Sequence, residues 1–296
     1  MLDGEPLGYA FALLAGLFFG LSDALVRAAS VRLKPLENLS ISLLVGTPLL
    51  WFFALAKGST SVDSTAMVYF ILAGLLNFVV GRLLFYIAIT SLGATTASIL
   101  ASPTVIVSAI LAWLLLGESL SAIQMTGIVL VMIAVSLASF RPSGKPLHNS
   151  KTTIGVVAGI GSTVVFAITA ILVRSAAGYL NADPLTGVAI SYTSALPVAL
   201  LLERGPLRPG IMPRRELLYM VAAGVIVALA QLSRYQALNL TWVAKASVII
   251  SLFPLFTLLF SYVLRGEAME EPSAVHLIAG VMAVAGIFLT NYYGGA

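Results

Sequence analysis

Ten apolar runs of about 20 residues, the length of helix that crosses a bilayer, follow one another along this chain with little between them. They cover Gly8–Ala29, Glu37–Ala56, Ala66–Leu92, Ala94–Leu116, Ser121–Phe140, Thr153–Ala176, Pro184–Leu202, Glu216–Leu240, Val243–Leu264 and Ser273–Tyr292. In lipid a backbone must satisfy its own polar groups within a helix or a closed barrel, and runs this long predict helices. The links carry breakers: Lys34-Pro35, Lys57-Gly58, Asp183-Pro184, and Gly205-Pro206 with Pro209-Gly210. Only 9% of residues are charged and 59% are hydrophobic, whereas an ordinary soluble domain is about 25% charged. The chain is therefore read as an all-α integral membrane protein. Its first apolar run follows Met-Leu-Asp-Gly-Glu-Pro, without basic residues, and is expected to be retained rather than cleaved.

The halves repeat. At an offset of 147, Gly8, Phe19, Leu25, Val26, Arg27 and Ala29 fall on Gly155, Phe166, Leu172, Val173, Arg174 and Ala176. At an offset of 149, Pro35-Leu36, Ile41-Ser42 and Pro48 fall on Pro184-Leu185, Ile190-Ser191 and Pro197. The second offset also carries Tyr86, Ala88, Ala97-Ser98, Ser102 and Gly117-Glu118 onto Tyr235, Ala237, Ala246-Ser247, Ser251 and Gly266-Glu267. Residues 1–140 form the predicted first repeat, 141–152 the linker and 153–296 the second repeat. Five helices per repeat is odd, so the second copy must enter the membrane from the opposite side. Inverted repeats of this kind characterise alternating-access transporters, with the site near midplane at the repeat interface.

Gly117-Glu118-Ser-Leu-Ser121 with Gln124 and Gly127, and Arg265-Gly266-Glu267 with Gly280, sit after the fourth and ninth predicted helices. Duplicated in a ten-helix frame, they resemble the drug/metabolite transporter superfamily, specifically its EamA-type members. The resemblance covers essentially the whole chain. Four extra residues between Glu267 and Gly280, among them Glu270-Glu271-Pro272, depart from the first copy. The resemblance implies a carrier of small metabolites, often an exporter of amino acids or their relatives.

Basic residues mark the cytoplasmic side. The loops after predicted helices 1, 5, 7 and 9 carry Arg32, Lys34, Arg141, Lys145, Lys151, Arg204, Arg208, Arg214, Arg215 and Arg265; the opposite set carries Lys57 and little else. Charge alone places both termini outside, and the family resemblance places both inside.

Arginine at bilayer depth costs about 2.5–3.5 kcal/mol even on lenient scales, so it is expected to face a protein interior or a wet cavity. Arg82 with Tyr86, and Gln231 with Arg234 and Tyr235, lie deep in the third and eighth predicted helices. Each group shares a helix face. A guanidinium fork suits a carboxylate or phosphate, so Arg82 and Arg234 are the predicted substrate anchors; the alternative is snorkelling to an interface. Tyr86 and Tyr235 would supply aromatic wall and hydroxyls, and Asn77, Ser102 and Ser251 polar contacts. The serines equally suit close helix packing. Lys245 is either a third cation at the site or an interfacial anchor beside Trp242. Asp23, four residues from Arg27, either pairs with it or takes up a proton and couples transport to the gradient. Pro103 and Pro254 should break helices 4 and 9, and Gly16-x-x-x-Gly20 is a helix-packing pattern. Glu118 and Glu267 suit the start of the helix that follows each.

Catalytic and metal signatures are missing: there is no H-E-x-x-H, G-x-S-x-G, P-loop or dinucleotide fingerprint. His148 and His276 have no partner set for a metal, and the chain has no cysteine. The net charge of +4 is scattered over loops and is no nucleic-acid footprint. The expectation is ten transmembrane helices as two inverted five-helix repeats around a central cavity, in the plasma or cell inner membrane. It would export small anionic or zwitterionic metabolites such as amino acids, without enzymatic activity or cofactor. Its partners would be the substrate, the lipid bilayer and a proton as coupling ion. A cation or multidrug exporter, or a non-transporting membrane component, are the alternatives.

Overall fold

The computed structural model describes residues 5–29, 34–58, 61–101, 103–139, 150–203, 214–265 and 274–292. Among these the structure is helical. In chain order the helices are α1 (Glu5–Ala29), α2 (Pro35–Lys57), α3 (Ser64–Gly74), α4 (Leu83–Leu92), α5 (Ala94–Ala101), α6 (Thr104–Leu116) and α7 (Ala122–Ser139). The second half holds α8 (Ser150–Val173), α9 (Pro184–Leu202), α10 (Arg214–Leu240), α11 (Val243–Ile250), α12 (Phe253–Arg265) and α13 (Ala274–Tyr292). Two stretches of π-helix, Leu75–Arg82 and Arg174–Tyr179, join α3 to α4 and prolong α8.

Punctuation in the sequence becomes caps. Pro35 and Pro184 open α2 and α9, where a missing N–H and a preset φ cost nothing. Asp63 and Asp183 accept the N–H groups of Thr65 and Thr186, satisfying donors that a helix start leaves open. Ser121 and Gln124 form a reciprocal box at the start of α7, each side chain accepting the other's backbone N–H. Gly117 closes α6 with φ +69°, a left-handed conformation that side chains with a Cβ resist. The fourth predicted helix divides into α5 and α6 at Pro103, and the ninth into α11 and α12 at Ser251 and Leu252, just ahead of Pro254.

Polarity is inside out relative to a water-soluble bundle. Asp23, Asn77, Arg82, Gln231 and Arg234 are buried, while Leu201, Val281 and Phe52 stand 82%, 70% and 66% exposed. Such a surface suits acyl chains, not water. Among the described residues seven helical stretches are long and apolar enough to cross a membrane: Glu5–Ala29, Pro35–Lys57, Ser64–Leu92, Lys151–Tyr179, Pro184–Leu202, Arg214–Leu240 and Val243–Leu264. Thr104–Leu116, Ala122–Leu137 and Val281–Thr290 are apolar but shorter. The protein is a multi-pass membrane protein.

Packing couples the two halves. α1 lies against α10, α11 and α12, and α8 lies against α4, α5 and α6. Gly20 sits where an added Cβ would meet the Phe256 Cβ at 2.5 Å and the Thr257 nitrogen at 2.8 Å, and Gly16 faces the Ile250 carbonyl. The small-residue pattern in α1 is therefore a close helix contact.

Contacts recur at the offsets found in the sequence. The Tyr86 hydroxyl lies 3.4 Å from Ser42 Oγ, and Tyr235 donates to Ser191 Oγ at 2.9 Å. Ser98 Oγ is 3.4 Å from Thr257 Oγ1, and Ser108 Oγ is 3.3 Å from Ser247 Oγ. Arg27 donates to the Ile89 carbonyl and Arg174 to that of Leu238. Gly8 abuts Leu240 and Thr241; Gly155 abuts Ser91 and Leu92.

Candidate functional site

A cavity opens between α1, the first π segment with α4, the α5–α6 break, α8, α10 and the α11–α12 break. Phe19, Asp23, Asn77, Arg82, Phe85, Gln231 and Arg234 all line it. So do Ala101, Thr104, Phe166, Ala170, Ile250 and Phe253. All of these but Asn77 fall into pairs at the repeat offsets: Phe19 with Phe166, Asp23 with Ala170, Arg82 with Gln231, Phe85 with Arg234, Ala101 with Ile250, Thr104 with Phe253. The hollow thus lies where duplicated positions of the two halves meet.

The π segment explains how Asn77 and Arg82 reach it together. At 100° per residue, groups five apart on an α-helix point about 140° away from each other. Turns closed by i→i+5 bonds bring such positions onto one face. Periodicity arguments based on 3.6 residues per turn miss this, and nothing in Leu75–Arg82 announces the wider turn.

Arg82 stands over three rings, its guanidinium carbon 5.4 Å from the centroid of Phe19, 5.7 Å from Phe85 and 5.3 Å from Tyr86. Its charged partner is Asp23, with Nη1 3.8 Å from Oδ1. Both Asp23 oxygens, the Arg82 Nε and Nη2, and the Asn77 Nδ2 are buried without a hydrogen-bond partner among the described residues. Asp23 therefore faces Arg82 across the helices, and the expected pairing with Arg27 along α1 is replaced by this longer-range one. The reason is direction: the side chain of Asp23 points into the bundle, while Arg27 donates to the Ile89 carbonyl at the end of α4.

Arg234 has a different setting. It donates to Asn77 Oδ1 at 3.4 Å, Gln231 Oε1 at 3.5 Å and the Phe166 carbonyl at 3.1 Å. All three acceptors are neutral, and among the described residues no carboxylate pairs with it.

The remaining predicted residues scatter. Ser251 lines the cavity and donates to the Val248 carbonyl. Tyr86 and Tyr235 are fully buried behind the wall, hydroxyls within reach of Ser42 on α2 and Ser191 on α9; the Tyr86 ring lies beneath Arg82. Lys245 bonds Glu5 at 3.1 and 3.3 Å and sits 5.6 Å over the Trp242 ring, at the start of α11 and away from the cavity. Ser102 lies outside the described residues, as do Arg265's neighbours Gly266, Glu267, Glu270, Glu271 and Pro272. The phenylalanines of the wall were not singled out as site residues. The one signal that could have marked two of them is the Phe19–Phe166 repeat match.

The profile of the EamA-like transporter family matches residues 6–140 and again 153–292. The chain belongs to the EamA-like transporter family. An uncharacterized transporter of Clostridium kluyveri is 20% identical over 293 residues, covering 96% of this chain and 93% of that one. One protein of known crystal structure superposes with a TM-score of 0.76 at 17% identity, covering 97% of each chain, a likeness of fold.

The first Gly-Glu motif lies outside the cavity and has a structural task. Glu118 accepts from Arg174 Nε at 2.9 Å and from the Val243 N–H at 2.8 Å. Arg174 also donates to the last carbonyls of α10, Leu238 and Asn239. The carboxylate thus caps the N-terminus of α11, where the helix dipole favours it, and not that of α7, the next helix in sequence. On the same face Lys57 bonds Asp183 at 2.5 Å. Burial disfavours the Asp183 anion, but the bonds from Lys57 and from the Thr186 N–H and hydroxyl outweigh it and hold this carboxyl below the ordinary carboxylate range. Among the described residues no group of three metal-ligating side chains forms.

Proposed function

We propose that this EamA-family member is a secondary active exporter of small anionic or zwitterionic metabolites, amino acids among them, of the plasma or cell inner membrane. Two inverted five-helix repeats would rock about the central cavity, with Arg82 and Arg234 as substrate anchors. The inverted relation is supported by reciprocity. α1 of the first half meets α10–α12 of the second, and α8 of the second meets α4–α6 of the first. Ser98 reaches Thr257 while Ser108 reaches Ser247. Contacts exchanged in this i-to-j and j-to-i manner suit a two-fold relation, and such a relation lying in the membrane plane suits alternating access. Counting α3 with α4, α5 with α6 and α11 with α12 as single crossings would give the ten-helix frame.

The observation that carries the reading is the pair of buried guanidinium groups on one cavity built from both halves. Asp23, which faces Arg82, would exchange a proton during the cycle. A cation exporter would want an acidic excess in the cavity, whereas among the described residues the only acid lining it faces an arginine.

Reconstituted liposomes test this. Uptake of labelled amino acids and organic anions, with and without a pH gradient, should exceed that of empty liposomes. Arg82→Ala and Arg234→Ala should each abolish it while the purified protein stays monodisperse. Transport unchanged in both variants would remove the proposal.

A further inference from the structure

The two arginines are not equivalent, and the difference bears on what the cavity holds. Arg82 has a carboxylate partner, Asp23, 3.8 Å away, and three rings packed around it. Arg234 has only amide and carbonyl oxygens, at 3.1 to 3.5 Å. Among the described residues the charged side chains lining the cavity are these two guanidinium groups and one carboxyl; with Asp23 ionised against Arg82, one positive charge is in excess, located at Arg234. A desolvated charge without a partner is costly, and a carboxylate bound by an arginine fork relieves that cost with short, charge-assisted bonds. Asn77 adds a donor: its Oδ1 accepts from Arg234 while its buried Nδ2 has no partner among the described residues.

Beyond Arg234 the wall turns apolar. Phe166, whose carbonyl Arg234 bonds, has its ring centroid 6.0 Å from that of Phe85, which in turn lies 6.4 Å from Phe253. Edge-on rings of this kind favour an apolar or aromatic body.

We infer that the cargo is a monoanion with an apolar body, a monocarboxylate whose carboxylate binds Arg234 and Asn77 and whose body packs on Phe85, Phe166 and Phe253. This rests on the transporter reading above and narrows it. A zwitterion would leave the excess charge uncancelled, and its ammonium would have to compete with Arg82 for Asp23.

Probes that share one ring test the charge rule. 3-Phenylpropionate (monoanion), phenylalanine (zwitterion), phenethylamine (cation) and phenylsuccinate (dianion) would be titrated calorimetrically into the detergent-purified protein. Phenylpropionate should bind at least about tenfold more tightly than phenylalanine, a difference of about 1.4 kcal/mol, and phenethylamine should not bind. Arg234→Gln should weaken phenylpropionate by a similar factor. Asp23→Asn, which raises the excess to two positive charges, should reverse the preference toward phenylsuccinate; thermal melts establish that each variant is folded. Phenylalanine binding as tightly as phenylpropionate, with Arg234 still required, overturns this inference and leaves the transporter reading standing. A folded Asp23→Asn protein that still prefers the monoanion overturns it as well. No binding of any probe, together with unaltered transport in the arginine variants, overturns both.

Discussion

Glu118 shows how much one buried carboxylate can tie together. It is 3% exposed and joins the end of α6 to Arg174 and to the first N–H of α11. Removing one member of a buried ion pair leaves the other charged and unpaired, at about 3–5 kcal/mol. Glu118→Ala should therefore lower the thermal midpoint markedly, and Arg174→Met added to it should recover part of the loss, as coupled residues do in a double-mutant cycle. Melting of the purified single and double variants checks this; independent, additive effects would show that the two do not act as a pair. Arg82 and Arg234 make the complementary point. Their depth in apolar runs is plain in the sequence, so their burial in protein was predictable from the cost of an ion in lipid. Their partners were not, because Asp23 and Arg82 are 59 residues apart and meet only when α1 crosses the first π segment.

Among the elements, the helix starts follow local chemistry closely. Asp183 both caps α9 and pairs with Lys57 across from α2. Asn caps nearly as well as Asp, so Asp183→Asn removes the charge and keeps the cap. Because the native carboxyl lies below its ordinary value, its stabilising effect is complete above the ordinary carboxylate pKa and is lost as pH falls through the depressed one. Lys57 is half exposed, and pairs of that kind contribute about 0.2–1 kcal/mol. The variant should melt slightly lower than the parent near neutral pH, and the gap should close in acid, once the pH has fallen through the depressed carboxyl value. A gap that persists in acid would assign the effect to the cap instead. The π segments were invisible beforehand. A wide turn depends on what packs against the helix, and Gly81 within the first of them lies under Phe166, where a Cβ would come within 2.8 Å of the ring.

At the scale of the whole molecule, the reciprocal contacts between halves offer a way to test motion. The chain has no cysteine, so engineered pairs can be read without background. Cysteines at Ser98 and Thr257, or at Ser108 and Ser247, replace hydroxyls that already lie 3.3 to 3.4 Å apart. If the halves rock, oxidative cross-linking of either pair should stop transport, and a reductant should restore it, while ligand binding to the cross-linked protein persists. Full transport by the cross-linked protein would rule out relative movement at that contact. Two-fold related pairs should behave alike, which separates a general loss of mobility from damage at one locus.

Much of this protein was written in local chemistry. Apolar runs fixed by the bilayer's thickness, prolines and aspartates at helix starts, breaks at Pro103 and ahead of Pro254, and the duplicated Gly-Glu motif are all short-range signals, readable one window at a time. The offsets of 147 and 149 extended that reach to pairs of positions, and their recurrence in the contacts follows because like residues in like surroundings pack alike. What depended on tertiary structure was direction. Whether Asp23 meets Arg27 or Arg82, whether Glu118 caps its own following helix or another, and whether a tyrosine faces the cavity or backs it turn on how helices distant in sequence cross. Those choices are made by packing between the halves, and no window of sequence contains both sides of that contact.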